Sequence, residues 1–78
     1  MDELEIIDTK DLKNKQMIRL RTYAGLTQRA LGEKAGVSVR MIEKYEQGVK
    51  NLNHASAETV YKLAKALGCR MEDLIETY

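Results

Sequence analysis

Arg40 and Lys44 stand one helical turn apart, in a stretch where Ile42 and Tyr45 take the apolar positions and leave Val39, Arg40, Met41, Lys44 and Gln47 on the other face. A guanidinium presents two parallel donors that match the O6 and N7 acceptors of guanine, a contact worth about 1–3 kcal/mol of discrimination. Lys44 offers a point charge that suits a base edge or a phosphate equally well. Val39 is either an apolar contact for a thymine methyl or a spacer, Met41 has no assigned role, and the competing reading of Arg40 is a solvated surface arginine. Other chemistries find no support. No nucleophile, base and orienting group come together and no glycine-rich loop cradles a phosphate, so the chain is not read as an enzyme. One cysteine, Cys69, and one histidine, His54, cannot build a metal cluster or an intramolecular disulfide, and no cofactor or metal is expected.

Side chains of this kind act only if something rigid aims them. The tripeptide Gly36-Val37-Ser38 separates two short helical patterns: Thr27 caps a helix running to about Ala35, and Ser38 caps the next, which ends at Gly48. Gly36 closes the earlier helix with a positive φ, and Val37 plugs the corner. Ala30, Leu31 and Ala35 face inward, while Gln28, Arg29, Glu33 and Lys34 face outward. That spacing is a helix-turn-helix.

The remaining elements read as its support. From about Thr9 to Ala24, Met17, Leu20 and Ala24 follow a helical stripe among Lys13, Lys15, Arg19 and Arg21, with Asp8, Thr9 or Asp11 as caps. Gly25 stops this helix. After Gly48, Val49 to Ala55 is a polar connection anchored by Leu52. A fourth helix then starts at Ser56, or at Asn53 if the cap lies earlier, and buries Val60, Leu63, Ala64 and Leu67. Past Gly68, Met71, Leu74 and Ile75 form a short fifth helix with Glu72 and Asp73 in its first turn, where the helix dipole favours acids. Tyr23, Tyr45 and Tyr61 fall within apolar stripes or at their edges, which favours packing over base stacking. His54 is placed in a loop, and Cys69 in the core or at its rim.

Seventy-eight residues allow one domain, since chains near this size bury only roughly 60% of their unfolded surface. Proline and tryptophan are absent, the aromatics are four tyrosines, and Leu, Ile, Ala, Met and Val dominate the apolar positions, so an all-α fold is expected. The net charge of +1 hides a segregation: residues 1–10 carry −3, residues 11–50 carry +5 and residues 51–78 carry −1. Residues 1–8 read as a flexible acidic arm, and residues 9–78 as a single helix-turn-helix domain. In the competing reading of the arm, Leu4 and Ile6 pair with a partner subunit. No apolar run reaches the ~18 residues of a membrane span, and with no signal-peptide pattern the chain reads as cytoplasmic.

Taken together, Arg21, the G-L-T-Q of Gly25 to Gln28, Leu31, the A-G-V-S of Ala35 to Ser38, Ile42, the Y-E-Q-G of Tyr45 to Gly48 and the K-L-A-K-A-L-G of Lys62 to Gly68 resemble the Cro and phage-repressor type, XRE-like, helix-turn-helix family. The resemblance covers roughly residues 12–76. It implies a compact lambda repressor-like bundle of five helices, with the third helix, residues 38–47, in the DNA major groove and the second crossing above it. By the same resemblance, Ser38, Val39, Arg40 and Lys44 face bases. Thr27, Gln28, Gln47, Lys50 and Asn51 face phosphates, the helix terminus at Gln28 adding its own N–H groups. Arg21 and Glu46 match an internal ion pair.

Three departures from the family pattern stand out. Gly32 replaces the usual alanine; glycine forgoes about 1 kcal/mol of helix propensity, so Gly32→Ala is expected to stabilise the fold. The connection after Gly48 is longer and lacks proline. Arg70 stands where a serine or threonine usually caps, which predicts a fifth helix that frays or leans on a partner. The functional expectation is a bacterial or phage transcriptional regulator that binds double-stranded DNA sequence-specifically as a homodimer, with Leu74, Ile75, Tyr78 and the arm as dimer contacts. The alternative is a protein-interaction module, such as an antitoxin, that turns the same bundle toward a protein partner.

Overall fold

The computed structural model describes residues 15–75. Among them are five α-helices and one 3-10 turn: α1 (Lys15–Tyr23), α2 (Gln28–Ala35), α3 (Val39–Glu46), the turn Leu52–His54, α4 (Ala57–Leu67) and α5 (Met71–Leu74). The acidic arm 1–8, the capping candidates Asp8, Thr9 and Asp11, and Tyr78 lie outside the described residues.

Helix starts follow from hydroxyls that satisfy otherwise unpaired backbone donors. The side chain of Thr27 accepts from the Ala30 N–H at 3.0 Å, Ser38 from Met41 at 3.1 Å and Ser56 from Thr59 at 3.1 Å, each cap being worth about 1 kcal/mol. The expected left-handed step at Gly36 is present, with φ of 73°. It lets the N–H groups of Gly36 and Val37 both reach the Gly32 carbonyl, at 2.8 and 3.0 Å.

The core is built around α4, which buries Val60, Leu63, Ala64 and Ala66 and packs against α2 and α5. Around it close Met17 of α1, Leu31 and Ala35 of α2, Ile42 and Tyr45 of α3, and Leu74 of α5. Leu52 is fully buried, as the anchor of the connection should be, and the 3-10 turn around it is closed by the His54 N–H donating to the Asn51 carbonyl at 2.9 Å. Leu20, Val37 and Cys69 pack at the rim, as does Leu67, whose expected place in the buried stripe of α4 is taken by Ala66; Leu74, expected at a dimer contact, is fully buried within this bundle. Burial pushes the Tyr45 phenol above its ordinary range.

Three further sequence expectations change. Tyr23 is 93% exposed and Ala24 is exposed, so neither belongs to the packed stripe, and Tyr61 is 53% exposed with the Lys65 ammonium 5.7 Å from its ring centre. The last turn of α1 overhangs the bundle edge, and the chain returns inward only at Leu26, whose N–H reaches the Arg21 carbonyl at 3.1 Å. Second, Gly32 is no weak point. A Cβ there would lie 2.7 Å from the Val37 carbonyl oxygen, a distance real Cβ atoms essentially never show. Third, the absence of a hydroxyl at Arg70 is offset from the opposite side: the Asp73 carboxylate accepts the Arg70 N–H at 3.0 Å, with the guanidinium 3.6 Å away.

Gly32→Ala is therefore expected to lower the melting temperature, because displacing a turn carbonyl costs about 1–3 kcal/mol, more than the helix propensity gained. An unchanged or higher melting temperature would show that the turn yields freely. For Asp73, the backbone hydrogen bond from Arg70 outweighs desolvation and holds the carboxyl below the ordinary 3.8. Its contribution to α5 is thus complete above the ordinary aspartate range and is lost as pH falls through the lowered value. An NMR titration of the Arg70 amide proton should give a midpoint under 3.8, and a midpoint at or above 3.8 contradicts the bond.

Candidate nucleic-acid interface

The two helices of the motif are set against each other by close approach: Gly32 of α2 lies under the turn, its missing side chain making room for the Val37 carbonyl and for Ile42 of α3. With Ile42 and Tyr45 buried, the opposite side of α3 turns to solvent. Val39 is 37% exposed, Arg40 is exposed, and Lys44 is half-buried one turn further on. Arg40 makes no side-chain hydrogen bond or ion pair among the described residues. No other described residue takes any of its guanidinium donors, which suits them to an outside acceptor. Ser38 is exposed beside it, its oxygen engaged by the Met41 N–H, which leaves the hydroxyl proton to donate. Met41 is half-buried and packs against the core, so it belongs to the scaffold.

The start of α2 forms the second part of the face. Thr27 is exposed and Gln28 half-buried, at the helix end where unpaired N–H groups and the dipole favour an anion. The Thr27 oxygen accepts the Ala30 N–H as a cap, which, as at Ser38, leaves the hydroxyl proton to donate. A shallow cleft of about 280 Å³ runs beside the turn, lined by Arg29, Gly32, Glu33, Val37, Ser38 and Val39. At the far end, Gln47 and Lys50 are exposed. Asn51 is half-buried, and its side-chain oxygen accepts the Asn53 N–H at 3.0 Å to cap the 3-10 turn. Asn51 is thus first a structural residue. The peptide N–H groups of Val49 and Lys50 both donate to the Lys44 carbonyl, at 2.9 and 3.2 Å, which fixes the exit from α3.

Behind this face lies the Arg21–Glu46 pair. Arg21 Nε donates to Glu46 Oε2 at 2.6 Å and Nη2 to Oε1 at 3.0 Å, a two-pronged contact with side-chain exposures of 18% and 7%. Two further bonds were not legible in the sequence. Arg21 Nη1 donates to the Leu26 carbonyl at 2.8 Å, and Gln28 Nε2 donates to Glu46 Oε1 at 2.9 Å. Gln28 and Glu46 are 18 positions apart on different helices, so no local spacing announces their meeting. Among the described residues no group of histidines, cysteines and acids could hold a metal, and no helix is long and apolar enough to cross a membrane.

Comparison with known proteins agrees with the all-helical fold. The chain matches a solved structure, the restriction-modification controller protein C.AhdI from Aeromonas hydrophila, at 29% identity and a TM-score of 0.71, over 80% of this chain and 89% of that one. No curated protein matches. The family model described as helix-turn-helix matches residues 17–74, from the buried Met17 to the buried Leu74. Because that match spans the whole packed bundle and not the two-helix motif alone, the chain belongs to the XRE-like helix-turn-helix family of DNA-binding transcription regulators.

Proposed function

We propose that this protein is a regulator, not an enzyme, that binds double-stranded DNA sequence-specifically, with α3 lying in the major groove and α2 crossing above it. The observation that carries the reading is the state of Arg40: exposed, unpaired among the described residues, and borne on a helix whose other side is locked into the core by Ile42 and Tyr45. Ser38, Val39, Arg40 and Lys44 would meet base edges. Gln28, Gln47 and Lys50 would meet phosphates, joined by Thr27 and by Asn51, whose side-chain oxygens also serve as caps. The likeness to a restriction-modification controller protein supports a regulatory role.

A single module of this size covers only about 600–1,000 Å² on DNA. Two copies on half-sites about 34–36 Å apart would add the affinity that one lacks, so we propose a homodimer as the binding form. The net charge of +1 argues that affinity comes from the local surplus of +5 across residues 11–50, not from a field over the whole molecule.

Selection of bound sites from a random duplex library tests the reading. Binding should saturate on a selected sequence and fall steeply with salt; failure to retain any duplex at low salt would sink the proposal. Within a selected site, Arg40→Ala should relax preference at one base pair by about 1–3 kcal/mol, whereas Gln28→Ala should weaken all duplexes alike. An Arg40→Ala profile that matches the wild type would remove Arg40 from the base-reading set.

A further inference from the structure

We propose that Glu46 is a positioning residue for DNA binding: its carboxylate holds the Gln28 side chain in the orientation that offers an amide N–H to a phosphate. The inference rests on the DNA-binding reading above and assigns the work behind the Gln28 contact to a residue that touches no DNA.

Glu46 Oε1 is a shared acceptor, taking Arg21 Nη2 at 3.0 Å and Gln28 Nε2 at 2.9 Å, while Oε2 takes Arg21 Nε. A primary amide has two N–H groups. One is spent on Glu46, which fixes the plane of the amide and leaves the second for an outside acceptor. The backbone is held by the same device, since Arg21 Nη1 grips the Leu26 carbonyl two residues before Gln28. An unanchored glutamine would have to be ordered at the moment of binding, with loss of rotamer freedom; here that ordering is complete in the free protein. Glu46 is only 7% exposed at its side chain and its charge is met by Arg21, so the anchor adds little repulsion toward the DNA.

Glu46→Leu separates this role from a purely electrostatic one. Glu46→Gln would not, since an amide oxygen at the Oε1 position still accepts from Gln28; leucine offers no acceptor, so the anchor is lost. Removing a negative charge from a DNA-binding face should by itself tighten binding. The positioning role predicts the opposite sign: affinity for a short mixed-sequence duplex at low salt, measured below the melting transition, should fall about 3- to 10-fold, the range of one well-placed hydrogen bond. In a Gln28→Ala background the same substitution should no longer weaken binding. Unchanged or tighter binding by Glu46→Leu, an equal loss in both backgrounds, or no effect of Gln28→Ala alone would each overturn the inference. All three leave the DNA-binding reading standing if the wild-type chain binds. Wild-type protein that binds no duplex removes that reading and this inference with it. Should Glu46→Leu not fold, NMR of the wild-type chain decides. In the free protein one Gln28 side-chain amide proton should be protected from exchange and displaced from its random-coil shift, with the other shifting when duplex is added; two unprotected protons at random-coil shifts would overturn the anchor.

Discussion

One carboxylate stands where four pieces of the chain converge. Glu46 closes α3, receives Arg21 from α1, receives Gln28 from the start of α2, and through Arg21 reaches the carbonyl of Leu26 in the connection between them. An ion pair removed from water need not stabilise a fold relative to a well-packed apolar contact, because both charges lose hydration. Its value here lies in geometry. A guanidinium and a carboxylate accept few relative orientations when both prongs are engaged, so the pair fixes the angle at which α1 and the α2 terminus meet the end of α3.

A second constraint sets how near the two helices of the motif come. The Val37 carbonyl occupies the space a side chain at position 32 would fill, so the α2–α3 distance is set at atomic contact and not by the thickness of an intervening side chain. Together the contact and the ion pair make the exposed side of α3 and the start of α2 one rigid surface. The polar side chains on that surface divide by duty. Thr27, Ser38 and Asn51 direct their oxygens at backbone N–H groups, whereas Arg40 projects without a partner among the described residues.

Much of the architecture is legible in the sequence because it is written in local chemistry. Thr27, Ser38 and Ser56 announce helix starts through their hydroxyls, Gly36 announces a stop, and the stripe of Val60, Leu63 and Ala64 declares the buried side of α4. What local pattern could not supply was the environment of each residue. Helix propensity treats Gly32 as a defect, since propensity knows nothing of a carbonyl arriving from five residues away. Periodicity placed Tyr23 and Ala24 in a packed stripe, since a stripe does not say where the bundle ends. The acceptor missing at Arg70 was visible, but the remedy from Asp73 required knowing that α5 turns the carboxylate back toward the N–H. For the interface, the side of α3 that carries Arg40 followed from the burial of Ile42 and Tyr45, while the Gln28–Glu46 bond needed the tertiary fold.

The contact between α1 and α5 has a consequence for how the molecule can come apart. The first and last described helices touch, and Leu74 at the end of the chain is as fully buried as Met17 near its beginning. Among the described residues the helices therefore close into a ring with no terminal appendage, and partial opening that frees α5 also uncovers α1. A molecule so connected loses order as one cooperative unit. Its helix-turn-helix is not a detachable part resting on a scaffold: the two helices keep their relative angle only while the whole bundle remains shut.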